Sequence, residues 1–206
     1  MSEHASSESM WPWEHVLFAY VFYSPYVHLA YRSAPTGWPA AALAVGTLFP
    51  DLVDKPLAWQ FGLVETGWGP AHSVFLAVPV ALFVYAVARH RGVGAVGVAF
   101  GFGYLLHLPG DVVPASLSRG RLYLAPVLWP RSDPAVDADH GSFLDGVYSL
   151  LTEYAVQLLA LEVTTGVALQ VGTVAVGGLL WLYDGLPGLR LLAVPIRYIA
   201  GYLRLS

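Results

Sequence analysis

Residues 92–110 read GVGAVGVAFGFGYLLHLPG, bounded by Arg91 and Asp111 and free of Asp, Glu, Lys and Arg throughout. Periodicity does not separate a buried strand from a buried helix over a short apolar run, but a run this long favours a helix. It also approaches the roughly 17–25 residues that an α-helix needs to cross a bilayer. Gly97 and Gly101 form a GxxxG pair, a spacing that lets a neighbouring backbone come close. Four further stretches are free of charge in the same way: 15–31, 33–50, 66–88 and 163–183.

The whole composition agrees with these gaps. Of 206 residues, 56% are hydrophobic and 12% charged, about half the charged fraction usual in a soluble domain. Mean hydropathy is +0.58. The chain has no cysteine and a formal net charge of −4. These properties exclude an ordinary soluble globule, a disordered chain, a disulfide scaffold and a basic nucleic-acid binder. What remains is a small all-α, multi-pass protein of the cell membrane, whose first partner is the lipid bilayer. Lys55 is the only lysine beside nine arginines and asparagine is absent, a bias met in high-GC or haloarchaeal sources. Residues 1–10 carry Glu3 and Glu8 without a basic or apolar run, so they are expected to form a short tail and not a cleaved signal.

The gaps predict about five transmembrane helices, within a range of four to six. Helix one covers about His15 to Tyr31, with a kink at Pro25, and helix two about Pro39 to Phe49. About twelve residues span roughly 18 Å, short of a ~30 Å hydrocarbon core. Helix three covers about His72 to Ala88 and helix four about Gly92 to Leu108. A polar cap loop follows at about 112–145, too charged to cross. From Gly146 to Tyr183 the pattern is helical again, with an amphipathic first half and a crossing at about 163–183. Arg190, Arg197 and Arg204, seven apart among apolar residues, predict a C-terminal helix lying in the interface. Residues 11–206 thus read as one helical membrane domain. Gly92, Gly94 and Gly97 match GxGxxG, but an apolar helix precedes them where a dinucleotide fingerprint needs a strand.

Ionisable residues at the rims of membrane helices are costly, so they are the first candidates for function. His15 starts helix one, Asp51 and Asp54 follow helix two, His72 starts helix three, and His107 and Asp111 end helix four. In an up-down bundle all four ends share one face. The opposite face receives Arg32, Arg89, His90 and Arg91; its positive short connections predict that it is cytoplasmic. Three His and three Asp without thiolates suit a divalent metal, zinc first, with manganese or iron as alternatives. Asp51 and Asp54 can bind metal, bridge two metals or accept a proton as catalytic bases.

Each residue also has a plainer reading. His72 could cap helix three, Asp51 could cap a turn, and Asp54 could pair with Lys55 or Arg121. Pro109 and Gly110 could end helix four before Asp111. His28, about 20 Å along the helix from His15, is expected to be a packed or interfacial histidine, and His4 and His140 to be solvated.

The ordered motifs Trp13-Glu14-His15-Val16-Leu17-Phe18, Leu48-Phe49-Pro50-Asp51-Leu52-Val53-Asp54-Lys55-Pro56, Gly69-Pro70-Ala71-His72-Ser73 and Gly103-Tyr104-Leu105-Leu106-His107, followed by Val127-Leu128-Trp129-Pro130, carry a resemblance. Over about residues 10–130 the chain resembles the predicted membrane-bound metal-dependent hydrolases (domain of unknown function 457), especially haloarchaeal members. The resemblance implies a helical membrane protein, loosely related to zinc-dependent phospholipase C. It implies a metal site at His15, Asp51, Asp54, His72, His107 and Asp111. Ala71 stands where the family has Thr, and Pro109-Gly110 where it has a helical pair. The functional expectation is a metal-dependent hydrolase acting on a phosphoester or lipid-like substrate. The alternatives are a non-catalytic protein with a structural metal site and, third, an ion or proton transporter, for which the other half of the helices offers only His28 as a stepping stone.

Overall fold

The computed structural model describes residues 10–132, 142–160 and 165–191. They form six α-helices: α1 Pro12–Tyr31, α2 Gly37–Trp59, α3 Val74–His90, α4 Gly94–Ser118, α5 Phe143–Ala160 and α6 Thr165–Tyr183. Short 3₁₀ turns occupy Pro70–His72 and Ala125–Val127. Among the described residues there is no strand, and the all-α class holds.

The central element is α4, which packs against α1, α2 and α3. Its contact with α2 depends on two glycines. A Cβ at Gly46 would collide with the carbonyl of Phe100, and one at Gly103 with the carbonyl of Leu43 and the amide of Thr47. Gly97 serves the other neighbour, α3, where an added Cβ would stand 2.8 Å from that of Ala88. The GxxxG reading therefore finds its partner in α3, while the tighter α2 contact uses glycines outside that pair. Ala19, Tyr20, Tyr23, Val27, Leu43 and Ala99 form one apolar core, and Ala77, Tyr104, Leu108 and Val127 a second beneath the cap.

Helix two was expected to stop near Phe49, and it runs ten residues further, through Pro50 and Pro56. Asp51 and Asp54 consequently lie on the helix itself. Helix four likewise continues past Pro109 and Pro114 to Ser118, so the cap begins later than 112. An internal proline breaks a soluble helix; inside a membrane bundle, neighbouring groups satisfy the freed carbonyls and the helix persists. Among the described residues, only α4 and α6 are long and apolar enough to cross a membrane by length and composition, and α3 is apolar but shorter. That is fewer than the five crossings expected. The difference lies in α3, which is one turn or less too short, and in α1 and α2, whose buried Tyr20, Tyr23, Ser24 and Thr47 make them less apolar.

α6 runs parallel to α1. Gly177 packs on Leu17, and Asp184, just past the end of α6, meets Tyr20, Ser24 and His28. Gly188 then lies against Gly37 at the start of α2. The crossing expected at 163–183 matches α6. The preceding α5 packs its first turn on the end of α2, with Gly146 against the Trp59 ring. Asp133, Asp137, Asp139 and His140, the tail before Met10 and the C-terminal stretch holding Arg197 and Arg204 lie outside the described residues.

The glycine contacts predict that Gly103→Ala destabilises the protein by about 1–3 kcal/mol, the usual cost of overpacking. Gly172→Ala, inside α6 with nothing within 4 Å of the new Cβ, should cost nothing and stabilise by up to about 1 kcal/mol through helix propensity. Thermal unfolding in detergent checks both.

Candidate metal centre

The site is built from the ends of α1, α2 and α4 and the connection 69–73. α4 carries His107 and Asp111 one turn apart, with His107 Nε2 3.4 Å from Asp111 Oδ2. Because the helix continues through Pro109-Gly110, the two side chains share a face as the spacing anticipated. Gly110 is needed for a different reason: a Cβ there would stand 2.5 Å from His15 Nδ1. In that space the His15 ring stacks on His107 with centroids 4.1 Å apart. His15 Nε2 lies 3.2 Å from Asp111 Oδ1.

His72 is held by Asp54. The Asp54 carboxylate accepts backbone N–H bonds from Gly69 at 2.9 Å, Ala71 at 3.1 Å and His72 at 2.9 Å, and its Oδ2 lies 2.8 Å from His72 Nδ1. Pro70 opens the 3₁₀ turn without needing a donor partner of its own. With Nδ1 fixed in this way, His72 Nε2 turns to the cluster, 3.1 Å from His107 Nε2, 3.5 Å from Asp51 Oδ1 and 3.6 Å from Asp111 Oδ2. Lys55 pairs with Asp51, at 2.9 Å, and not with Asp54 as the plainer reading had it.

All six sequence-derived residues therefore meet at one end of the bundle. Two overlapping groups have ligand atoms close enough to hold a metal ion: His15, His107 and Asp111, and Asp51, His72 and His107. Asp54 is in neither group. Its side chain is 0% exposed and its oxygens are engaged by the 69–72 segment. It occupies the position of an orienting carboxylate behind a histidine ligand.

The donors fit a divalent cation. Imidazole nitrogens and carboxylate oxygens without thiolate are the set for zinc, manganese or iron. Asp54, Asp111 and Asp51 bring three carboxylates into a nearly closed volume with Lys55 as the adjoining ammonium. The buried Nδ1 atoms of His15 and His107 have no hydrogen-bond partner among the described residues. Buried charge and unpaired buried donors are both costly.

Several supporting residues escaped sequence reasoning. Trp68 Nε1 donates to Asp111 Oδ2 at 3.3 Å. Buried Glu14 accepts from the Trp11 backbone at 2.8 Å and ties down the start of α1. Tyr104 donates to the Ala71 carbonyl at 2.7 Å, and Ser73 to the Trp129 carbonyl at 2.6 Å. Ala71 thus serves through its backbone where a threonine hydroxyl was missed. The capping part expected of His72 falls to Ser73, whose Oγ accepts from Phe75 N.

A second polar cluster stands at the far end of α1. Tyr20 and Ser24 donate to Asp184 Oδ2 at 2.6 and 2.7 Å, and His28 Nε2 lies 2.7 Å from Oδ1. His28 is thus packed, as expected, but with companions: the far half of the bundle offers more than His28 alone. The Asp184 side chain is 0% exposed, and the cluster clasps two parallel helices.

The fold and the site together define a helical membrane protein with a buried His/Asp cluster at one end. Residues 10–191 match the family model described as YdjM inner membrane protein, and the chain belongs to that family. It is a protein of the cell membrane. No curated protein and no solved structure matches it.

His72, in the connection outside the helices, is shifted upward. Burial opposes its charge, but hydrogen bonds to Asp51 and Asp54 and the charge of Asp111 outweigh burial and raise its pKa from 6.5 to about 9. A raised folded-state pKa means that protonation favours the fold; the contribution is complete below pH 6.5 and disappears as pH climbs through about 9. The thermal midpoint of metal-free protein in detergent should fall across that window. A midpoint that stays level or rises would contradict it.

Proposed function

We propose that this chain is a membrane-embedded, metal-dependent hydrolase of a phosphoester or lipid-like substrate. The observation that carries the reading is the pair of overlapping His/Asp groups sharing His107. His15, Asp51, His72, His107 and Asp111 hold the metal, zinc first, and Asp54 orients His72. A divalent cation so held supplies a Lewis acid and acidifies a water toward a pKa of about 7. Asp51 stands at the mouth of the site, its side chain 12% exposed where those of Asp54 and Asp111 are nearly closed off, so a proton released at the cluster would leave past it.

A lipid-like substrate is supported by the surroundings. An apolar cavity of about 530 Å³ opens on the flank of the bundle, bounded by Phe22, Val78, Leu82, Gly101 and Leu105. Its α4 lining ends at Leu106, one residue before the buried His107 in the sequence. An acyl chain seated there would bring its headgroup to the level of the helix ends.

The burial of His72 and His107, both 0% exposed, favours a second reading, in which the metal only ties the helix ends together. Turnover separates the two. Metal-loaded protein in detergent, assayed against phospholipids and chromogenic phosphoesters, should hydrolyse at least one, and chelation should abolish the activity. His72→Ala and His107→Ala should lose most of the metal and all turnover, while His28→Ala keeps both. Stoichiometric metal without turnover in wild type would favour the structural reading.

A further inference from the structure

We propose that Lys55 is the phosphate-recognition group of this site, donating to a non-bridging oxygen of the phosphoryl group that faces the metal ligands. The inference rests on the metal-centre reading above and adds the chemical class of what binds there.

Lys55 is the only lysine in the chain, and α2 sets it one turn beyond Asp51. Its Nζ lies 2.9 Å from Asp51 Oδ1, and the same oxygen lies 3.5 Å from His72 Nε2. The ammonium is therefore a single carboxylate oxygen away from the ring nitrogen at the centre of the cluster. Its side chain is 24% exposed beside the 12% of Asp51, so the pair forms the rim where the cluster meets the outside. Its Nζ also lies 5.8 Å from the Trp59 ring centroid, within cation–π range, which favours this position of the head.

Hydrogen-bond capacity and charge point the same way. An ammonium has three donors, and Asp51 takes one of them. A cation that claims Asp51 Oδ1 weakens the acceptor on which Lys55 depends, leaving a partly buried positive charge short of its counter-charge. A phosphoryl oxygen restores it. Lysine binds phosphate in this way, as a point charge reaching one oxygen. A neutral carboxylic ester would leave the ammonium unanswered.

The test uses full-length protein in detergent, reconstituted with cobalt(II), whose visible absorption reports anions entering the metal environment. Metal content is measured separately. Two probes are titrated: inorganic phosphate and dihexanoyl phosphatidic acid. Lys55→Met should hold cobalt as wild type does and bind both probes roughly 10- to 100-fold more weakly, the loss of one charge-assisted hydrogen bond. Lys55→Arg should recover most of the affinity. Tighter binding of phosphatidic acid than of phosphate in wild type makes a lipid headgroup the ligand, and the reverse makes it free phosphate; with the Lys55→Met loss, both support the proposal. Unchanged binding in Lys55→Met, or no spectral response to either probe in cobalt-loaded wild type, overturns it. Wild type that takes up no cobalt fails the metal centre itself, and the proposal falls with it.

Discussion

The Asp54 carboxylate is the constraint on which the site depends. Buried and fully engaged, it draws the amides of Gly69, Ala71 and His72 around itself and fixes the His72 ring through Nδ1. Those bonds hold the connection between α2 and α3 against α2, while Tyr104 and Ser73 tie it to α4 and to Trp129, and without the bond at Nδ1 His72 Nε2 has no defined direction. An uncompensated carboxylate in such surroundings would cost several kcal/mol. The four bonds satisfy the carboxylate, and in satisfying it they build the site. Asp54 therefore acts through His72, as the carboxylates behind histidine ligands do in metal proteins.

The remaining geometry follows from how closely α4 can approach its neighbours. Gly46 and Gly103 let α2 and α4 come into backbone contact, and Gly110 leaves room for the His15 ring. In a membrane, helix association is driven by close packing and not by water exclusion, so small residues carry it. The prolines are absorbed by the same packing. Pro50 and Pro109 sit inside α2 and α4, each within two residues of a site carboxylate.

Much of this was legible in the sequence, because charge is so sparse there. The helical class and the convergence of His15, Asp51, Asp54, His72, His107 and Asp111 follow from where the few ionisable residues fall relative to the apolar runs. What was not legible has physical causes. Helix ends were drawn at the edges of the charge-free runs, which shortened α2 and α4, because a charged residue such as Asp51 or Asp111 can still lie on a continuing helix. Asp51 and Asp54 looked equivalent because a linear pattern does not say which carboxylate meets a loop of free amides. The parts of Trp68, Tyr104 and Ser73 lie in contacts between segments 33 to 56 residues apart. Asp184 closed its gap of charge with no sequence signal that it would return to Tyr20, Ser24 and His28. The number of crossings was read from charge-free length alone, whereas the interior polarity of α1 and α2 and the shortness of α3 leave two helices that are long and apolar enough to cross among the described residues.

X-ray absorption spectroscopy at the metal edge, on zinc-loaded protein dialysed against metal-free buffer, tests the central claim most directly. A bound ion in this cluster should show nitrogen and oxygen neighbours at about 2.0–2.2 Å, the range of histidine and carboxylate ligands of zinc, with the multiple scattering of at least two imidazoles. A shell of oxygen alone, or protein that retains no metal, would contradict the assembly of His15, His72 and His107 into a metal centre.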